Sequence, residues 1–310
     1  MIRGRTSAAL AVRRPDGAIV RHRLPLSRWA NGRARKVPLV RGVLVLLETL
    51  VAGMKALSLS ANEAADDGKS AKAGKESQAL STASMTTVMV VALAAGVALF
   101  FILPLFVSRG AEDRGALFAN VVEGLLRLVI FLGYIWAIGQ LKDIQRVFGY
   151  HGAEHMAVSA HENGKPLTIG SLRRFPTAHP RCGTSFLLTV VLVSIIVFMF
   201  IPRDPLWLVI VSRVVLIPVI AAVSYELIRF SGAHLENGLV RLLTSPNLLL
   251  QKMTTRQPDD RMLEVAIDAM SYAIAMDEGR VDGGTGATAE TAATASDLAQ
   301  SGNRSTGPGC

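Results

Sequence analysis

The chain of 310 residues is 50% hydrophobic, with a mean hydropathy of +0.38 and a formal net charge of +9 at pH 7. This composition excludes an ordinary soluble domain and predicts an integral membrane protein. The charge does not indicate a nucleic-acid partner, because no segment resembles a nucleic-acid-binding motif and basic segments beside membrane spans bind anionic lipid heads.

Residues 1–38 form a basic N-terminal region with a predicted β-hairpin. Residues 8–12 and 18–24 have the pattern of two short strands, and the Pro-Asp-Gly sequence at residues 15–17 between them is typical of a turn. We expect the basic side chains of this region to contact anionic lipid heads.

The next two segments differ in polarity. Residues 39–57 are apolar over much of their surface but carry Arg41, Glu48 and Lys55, so they make a poor span and a good amphipathic helix in the membrane interface. Residues 58–84 are polar and predict a flexible linker.

Four apolar runs predict membrane spans, at residues 85–107, 125–141, 186–201 and 206–225. Together they predict an all-α fold, a four-span helical bundle within a membrane domain of residues 85–225. The domain includes a loop between the second and third spans, residues 142–185.

Three charged residues lie in or near these runs. Glu123 and Arg127 are spaced i, i+4 at the start of the second run, which favours an ion pair. Arg213, within the fourth run, has no obvious local partner and is expected to reach Glu226 or a lipid phosphate. An intramembrane charge of this kind also indicates a functional role.

The distribution of Lys and Arg predicts the orientation of the spans. Eleven such residues occur up to Arg41, six between residues 142 and 181, and seven after Tyr225, whereas the two loops expected on the other side hold three. Because cytoplasmic loops are enriched in basic residues, we expect a multi-pass protein of the cell membrane with both termini and the loop at residues 142–185 in the cytoplasm.

The C-terminal part is predicted to be helical and then irregular. Residues 226–280 are expected to form a cytoplasmic helical segment, in which residues 259–276 have the pattern of an amphipathic helix capped by Asp259 or Asp260. Residues 281–310 are rich in Gly, Ala, Thr and Ser and predict a disordered tail.

The predicted cytoplasmic loop contains the motif HGAEH. His151 and His155 lie one helical turn apart, with Cβ atoms about 6 Å apart, so both imidazoles can reach one metal ion. An apolar stripe that begins at Leu141 continues through both histidines and predicts that they lie on a buried face. The motif is the inverse of the HExxH zinc pattern, in which the Glu acts on water, so Glu154 is the candidate general base.

The second motif, HPRCG, precedes the third predicted span. His179 and Cys182 are spaced i, i+3 across Pro180, and Gly183 permits the following turn, as in a zinc knuckle with His in place of the first Cys. Imidazole and thiolate ligands favour zinc over magnesium or calcium, although iron and copper also accept them. The two motifs therefore predict a zinc site formed by His151, His155, His179 and Cys182.

Simpler interpretations of these residues stay open at this point. Buried histidines are often hydrogen-bonded core residues, and Cys182 also fits a small apolar position. The ligand count separates two kinds of metal site, because a closed His3Cys tetrahedron is structural whereas a catalytic zinc keeps one position for water. His161 and Glu162 lie in a polar stretch and are expected in a solvated loop.

Five segments together resemble a known family: RGVLVLLETLVAGMKAL, YHGAEH, HPRCGTSFL, SYELIRF and QKMTTRQPDDRMLEVAI. They are similar to the YqhQ-like family of uncharacterised bacterial multi-pass membrane proteins, over residues 1 to about 276. The family is described as metal-dependent enzymes without an established substrate, and the resemblance implies as the basis of activity His151, Glu154, His155, His179 and Cys182. The chain lacks the glycine-rich stretch that precedes its first residues in the family, which points to a truncated or misassigned start.

Two functions follow from these observations, and no protein partner is predicted. The first is a membrane-embedded metal-dependent enzyme, a hydrolase that uses activated water with Glu154 as base. The alternative is a membrane scaffold or assembly factor with a structural His3Cys zinc site. Transport would rest only on Arg213 and the Glu123–Arg127 pair, and the lack of paired broken helices in the sequence pattern argues against it.

Overall fold

The computed structural model describes residues 1–4, 7–25, 37–65, 82–180, 182–234 and 236–280. This part of the chain is mostly helical and has a small N-terminal sheet. The strands are β1 (Ile2–Arg3), β2 (Ser7–Arg13) and β3 (Ile19–Pro25). The helices are α1 (Val40–Ala65), α2 (Thr82–Val97), α3 (Leu103–Ser108), α4 (Ala116–Ile138), α5 (Lys142–Glu162), α6 (Ile169–Leu172), α7 (Thr184–Met199), α8 (Leu206–Val215), α9 (Ile217–Ala233), α10 (Gly238–Thr254) and α11 (Asp260–Asp277). A π-helical turn (Ala98–Ile102) joins α2 to α3, and a 3-10 helix (Arg109–Arg114) follows α3.

The predicted hairpin is confirmed by β2 and β3, which pair antiparallel with Val12 opposite Val20. Gly17 lies in the turn with φ at +93°, a left-handed conformation that favours glycine. The strand β1 pairs antiparallel with the other edge of β2 and was not predicted. Its two residues are too few to produce a strand pattern in the sequence.

The sheet packs against helices through both of its faces. Leu10 and Leu24 on one face form an apolar cluster with Ala56 of α1. On the other face, Ile2 and Ala9 belong to a core that α5, α6 and α11 complete. Because a small isolated sheet is marginal in water, these two contacts explain how the sheet is stabilised.

The prediction of a flexible linker at residues 58–84 is wrong at both ends of that range, where the chain is helical. Helix α1 extends to Ala65, so residues 58–65 are helical, and residues 82–84 belong to α2. These residues are polar enough to suggest a linker but contain no Pro that would end a helix. Residues 66–81 lie outside the described part of the chain.

Two of the charges that argued against a span in α1 have partners. Arg41 donates from Nε to Oε1 of Glu226 at 2.6 Å, and Arg3 donates to the buried carboxylate of Glu48 at 2.7 Å. Paired charges are less costly to bury than isolated ones. The segment Val40–Glu63 is long and apolar enough to cross a membrane, although the sequence predicted an interfacial helix.

Several apolar helices could cross a membrane. By length and composition three qualify among the described residues: Val40–Glu63, Thr87–Arg114 and Ala116–Ile138. The pair of α8 and α9 qualifies as one unit but is bent by 43°, and α7 has 16 residues. The exact four-span bundle therefore stays a prediction.

A buried cluster of charges joins α4 to α8 and to the segment before it. Arg127 donates to Oε1 of Glu123 at 2.7 Å, so the predicted pair is confirmed. Arg213 donates to the same carboxylate at 2.9 and 2.8 Å, and Arg203 donates to its Oε2 at 3.1 Å. Arg213 thus has a protein partner that no local pattern could reveal, since Glu123 lies 90 residues earlier.

The C-terminal helix begins as predicted. The carboxylate of Asp259 accepts a hydrogen bond from the backbone N–H of Met262 at 2.8 Å and caps α11. Two other predictions fall outside the described residues, the disordered tail at residues 281–310 and the basic residues within 26–36. Lipid contact by the N-terminal region stays a prediction.

Candidate metal centre

Helix α5 carries HGAEH and is buried mainly through small residues. A Cβ atom on Gly149 would lie 2.7 Å from Sδ of Met262, and one on Gly152 would lie 2.4 Å from the carbonyl oxygen of Arg256. The sequence predicted burial from an apolar stripe beginning at Leu141, but that residue is exposed. Small residues form most of the buried face, together with His155 and Met156, because α11 and the segment after α10 cross close to the α5 backbone.

Both histidines of the motif are oriented by backbone carbonyl groups. Nδ1 of His151 lies 2.9 Å from the carbonyl oxygen of Thr254, and Nδ1 of His155 lies 2.6 Å from that of Thr177. A carbonyl oxygen only accepts hydrogen bonds, so each Nδ1 carries a proton, and Nε2 is the nitrogen that offers a lone pair to a metal ion when the ring is neutral. Metal-binding histidines are oriented in the same way by a carbonyl or a carboxylate.

Cys182 lies just before α7 and faces these rings. Its Sγ is 3.2 Å from Nε2 of His151. Thr184 also contacts the sulfur, through Oγ1 at 3.0 Å and its backbone N–H at 3.3 Å. One ligand atom from each of His151, His155 and Cys182 lies within 4.8 Å of the other two, so the three side chains converge.

The surroundings of Cys182 determine its charge. Burial raises the pKa of the thiol, but hydrogen bonds from His151, His155 and Thr184 outweigh burial and lower the pKa to about 5. Burial lowers the pKa of His151, whereas the hydrogen bond and charge of Cys182 raise it, and the net direction is upward. The sulfur is therefore a thiolate near neutral pH, which is the form that binds metal ions.

His179 lies beside these residues and is held through its backbone. The side-chain amide of Gln251 accepts from the N–H of His179 at 2.8 Å and donates to its carbonyl oxygen at 2.9 Å. The ring centroid is 5.8 Å from that of His155, and Nε2 is 3.1 Å from Oε2 of Glu162. The predicted fourth ligand is thus adjacent to the three converging ligands but is not one of that group.

The acidic residues of α5 differ from their predicted environments. Glu162, expected in a solvated loop, is exposed as predicted, but it ends α5 instead of lying in a loop and contacts His179. Glu154, the predicted general base, is 38% exposed and lies 3.6 Å from the α-amino nitrogen of Met1. Its charge helps to raise the pKa of His151, which places it near the site but outside the converging group.

The supporting residues were missed at the sequence level. Gln251 and Thr254 belong to α10, and Thr177 and Thr184 flank the HPRCG motif. In the sequence these residues stand out only as polar residues within or beside apolar helices. Polarity does not reveal which of their backbone groups contact the histidines. Oγ1 of Thr254 is also buried without a hydrogen-bond partner among the described residues.

The donor set fits a borderline metal ion such as zinc. Two oriented imidazoles and one thiolate are typical zinc ligands, whereas magnesium and calcium prefer oxygen. Tetrahedral zinc places neighbouring nitrogen and sulfur ligands about 3.5 Å apart, close to the 3.2 Å between His151 and Cys182. Three protein ligands also leave one coordination position.

Comparison with known proteins identifies relatives of unestablished function. A family model described as "Protein of unknown function (DUF1385)" matches residues 37–276. The chain belongs to this family. It is also 32% identical over 281 residues to the uncharacterized protein YqhQ of Bacillus subtilis (strain 168), and the match covers 87% of this chain and 88% of that protein. No solved structure matches the chain.

The family resemblance inferred from the five segments is therefore confirmed. The DUF1385 match runs from the residues before α1 almost to the end of α11, and it includes every candidate ligand and candidate base. The family description names no activity.

Proposed function

We propose that the chain is a metal-dependent enzyme of the cell membrane and that its reaction is a hydrolysis. The proposal rests on two contacts, from His151 to the carbonyl of Thr254 and from His155 to the carbonyl of Thr177. These contacts leave both Nε2 atoms available beside Cys182, and the converging group holds three ligands. Three protein ligands and one open position are characteristic of a catalytic zinc rather than a structural one.

Zinc held by these three residues would supply Lewis acidity and make water more acidic. His179 and Glu162 are suitably placed to accept the proton, since the ring of His179 lies beside His155 and its Nε2 contacts Glu162. A carboxylate that orients an imidazole increases its basicity. Gln251 holds the backbone of His179 in place, and Glu154 is the alternative base.

A structural His3Cys zinc site in a membrane scaffold or assembly factor is the competing function. It requires a ring nitrogen of His179 to move within reach of the three converging ligands and complete four ligands. The 5.8 Å between the rings of His155 and His179 is the observation in its favour. A third role, Cys182 as a nucleophile, agrees with its lowered pKa, but its 5% exposure and its contacts with both histidines favour metal binding.

Membrane location and orientation belong to the same proposal. The apolar helices support insertion, and the loops rich in Lys and Arg support a site that faces the cytoplasm. A cytoplasmic position also suits Cys182, because thiols there stay reduced and available as ligands.

Metal analysis of the purified full-length chain tests the proposal. Wild-type protein prepared without chelator is expected to hold one zinc ion per chain, and Cys182→Ala is expected to lose it. His179→Ala and Glu162→Gln should keep zinc and thermal stability but lose hydrolysis of a panel of chromogenic esters and phosphoesters. Loss of both zinc and stability in His179→Ala would favour the scaffold, and metal-free wild type would overturn both functions.

The variant Glu154→Gln distinguishes the two candidate bases. With His179 as the base, Glu154→Gln should retain zinc and most of the turnover. With Glu154 as the base, the same variant should retain zinc and lose turnover, while His179→Ala stays active. Zinc-loaded wild type that hydrolyses no member of the panel would contradict hydrolysis and leave the metal site intact.

A further inference from the structure

A cleft of about 520 Å³ opens between the end of α4 and the end of α10. Ile135 and Trp136 of α4 form one side. Lys252 and Met253 of α10 form the other, together with Arg256 from the segment after α10. The cleft is separate from the three converging ligands, because none of these five residues belongs to that group.

The charged residues that line the cleft are both basic. Lys252 and Arg256 line it, together with neutral residues, and no acidic residue is among the lining side chains of the described part of the chain. The guanidinium of Arg256 makes one hydrogen bond there, from Nη2 to the carbonyl oxygen of Gly139 at 3.3 Å. Lys252 makes no ion pair with a described residue. Both cations therefore keep donors that can bind an anion.

The other lining residues suit an apolar group. Ile135 and Trp136 belong to the last turn of Ala116–Ile138, one of the helices long and apolar enough to cross a membrane. Trp136 is 63% exposed, and tryptophan at a span end is characteristic of the membrane interface. The cleft thus joins a cationic rim to a surface that continues along an apolar helix.

We propose that this cleft binds the head of an acidic membrane lipid, with its phosphate on Lys252 and Arg256 and its first acyl carbons against Ile135 and Trp136. A guanidinium binds phosphate oxygens through two parallel donors, and a lysine adds a point charge. A soluble phosphate would use the cations but not the exposed indole. A lipid uses both, and this is why the geometry favours the lipid.

The site is coupled to the metal centre through one short segment. Thr255 lines the cleft, and the carbonyl of the preceding residue, Thr254, orients His151. An anion on Arg256 would restrain the segment that follows the Thr254 carbonyl. The inference itself uses only the charge of the cleft and the hydropathy of α4, so it does not depend on zinc or on catalysis.

Lipid binding to the full chain in neutral detergent tests the proposal by native mass spectrometry. Dioctanoyl phosphatidylglycerol is expected to bind, and dioctanoyl phosphatidylcholine to bind at least about tenfold more weakly. The double variant Lys252→Gln, Arg256→Gln should weaken binding of phosphatidylglycerol by about tenfold or more, since each basic residue near a lipid surface contributes about 1 kcal/mol. Arg174→Gln, which removes an exposed cation that does not line the cleft, should bind like the wild type.

Two further measurements make the result decisive. Trp136→Ala should weaken lipid binding and leave binding of glycerol phosphate unchanged, whereas glycerol phosphate that competes equally with the lipid would overturn the lipid assignment. Equal binding of the two lipids, or unchanged binding in the double variant, would overturn the site. Thermal unfolding of each variant checks folding, and the single variant Lys252→Gln replaces the double variant if that one is unstable.

Discussion

The carbonyl oxygen of Arg256 lies 2.4 Å from the point that a Cβ atom on Gly152 would occupy. The segment after α10 is therefore packed directly on the backbone of α5, and the N–H of Arg256 donates to the carbonyl of Phe148 at 3.0 Å. This segment directly follows Thr254, the last residue of α10, whose carbonyl orients His151. The glycine inside HGAEH thus has a packing role that is distinct from metal binding.

Alanine at position 152 is expected to displace this segment. A Cβ atom does not approach a backbone atom within 3.0 Å, so α5 and Arg256 must separate, and overpacking of this kind costs about 1–3 kcal/mol. Zinc content should fall together with thermal stability, because the carbonyl of Thr254 moves as well. Gly170→Ala is the matched control, since nothing lies within 4 Å of its Cβ position. Wild-type stability in Gly152→Ala would contradict the close crossing.

Replacement of Gln251 is expected to affect the position of His179 more than metal binding. Gln251 is buried and bonds both backbone groups of His179 and the hydroxyl of Ser185. Gln251→Leu leaves these groups unpaired, at about 1–3 kcal/mol each. We expect a lower unfolding temperature and reduced turnover with zinc retained. Gln145→Leu, which removes only an exposed local bond, is the control, and zinc loss without destabilisation would contradict this role.

The thiol of Cys182 is expected to titrate near pH 5 in metal-free protein. Hydrogen bonds lower its folded-state pKa below the unfolded value, so the thiolate's contribution to stability is complete above the unfolded pKa and is lost as pH falls to about 5. Ultraviolet thiolate absorbance of chelator-treated protein measures the midpoint, with Cys310→Ser as the background and Cys182→Ala as the blank. In His151→Ala the midpoint should move upward, and a wild-type midpoint near the ordinary thiol value would refute the assignment.

The charge cluster around Glu123 is expected to respond asymmetrically to substitution. Glu123→Gln leaves the buried guanidinium groups of Arg127 and Arg213 without a carboxylate and leaves Arg203 with Glu112 alone. It should cost about 3–5 kcal/mol or prevent folding. Arg127→Met should cost less, because Glu123 keeps two arginine partners. Thermal unfolding in detergent, with the exposed Glu278→Gln as control, compares them. An Arg127→Met variant less stable than Glu123→Gln would disprove the central role of the carboxylate.

The sequence predicts only those features of the site that depend on residues close together in the chain. His151 and His155 share a helix face through their spacing, and this spacing brings both rings to Cys182. The contact between His179 and Glu162 could not be anticipated, because it depends on how the chain folds back after α5. The buried face of α5 was predicted only in part. His155 is buried as expected, but helical periodicity of large apolar residues does not reveal a face that glycine and alanine open to a neighbouring backbone.

By itself, the sequence determined the apolar helices, the N-terminal hairpin, the cap of α11 and the family, because each depends on residues within one turn, one strand pair or one continuous match. The tertiary structure alone decided which groups orient the ligands. The carbonyls of Thr254 and Thr177 are backbone atoms supplied by distant segments, and every residue type has such a carbonyl. No local pattern of side chains can therefore encode these contacts, and they appear only when the helices are packed.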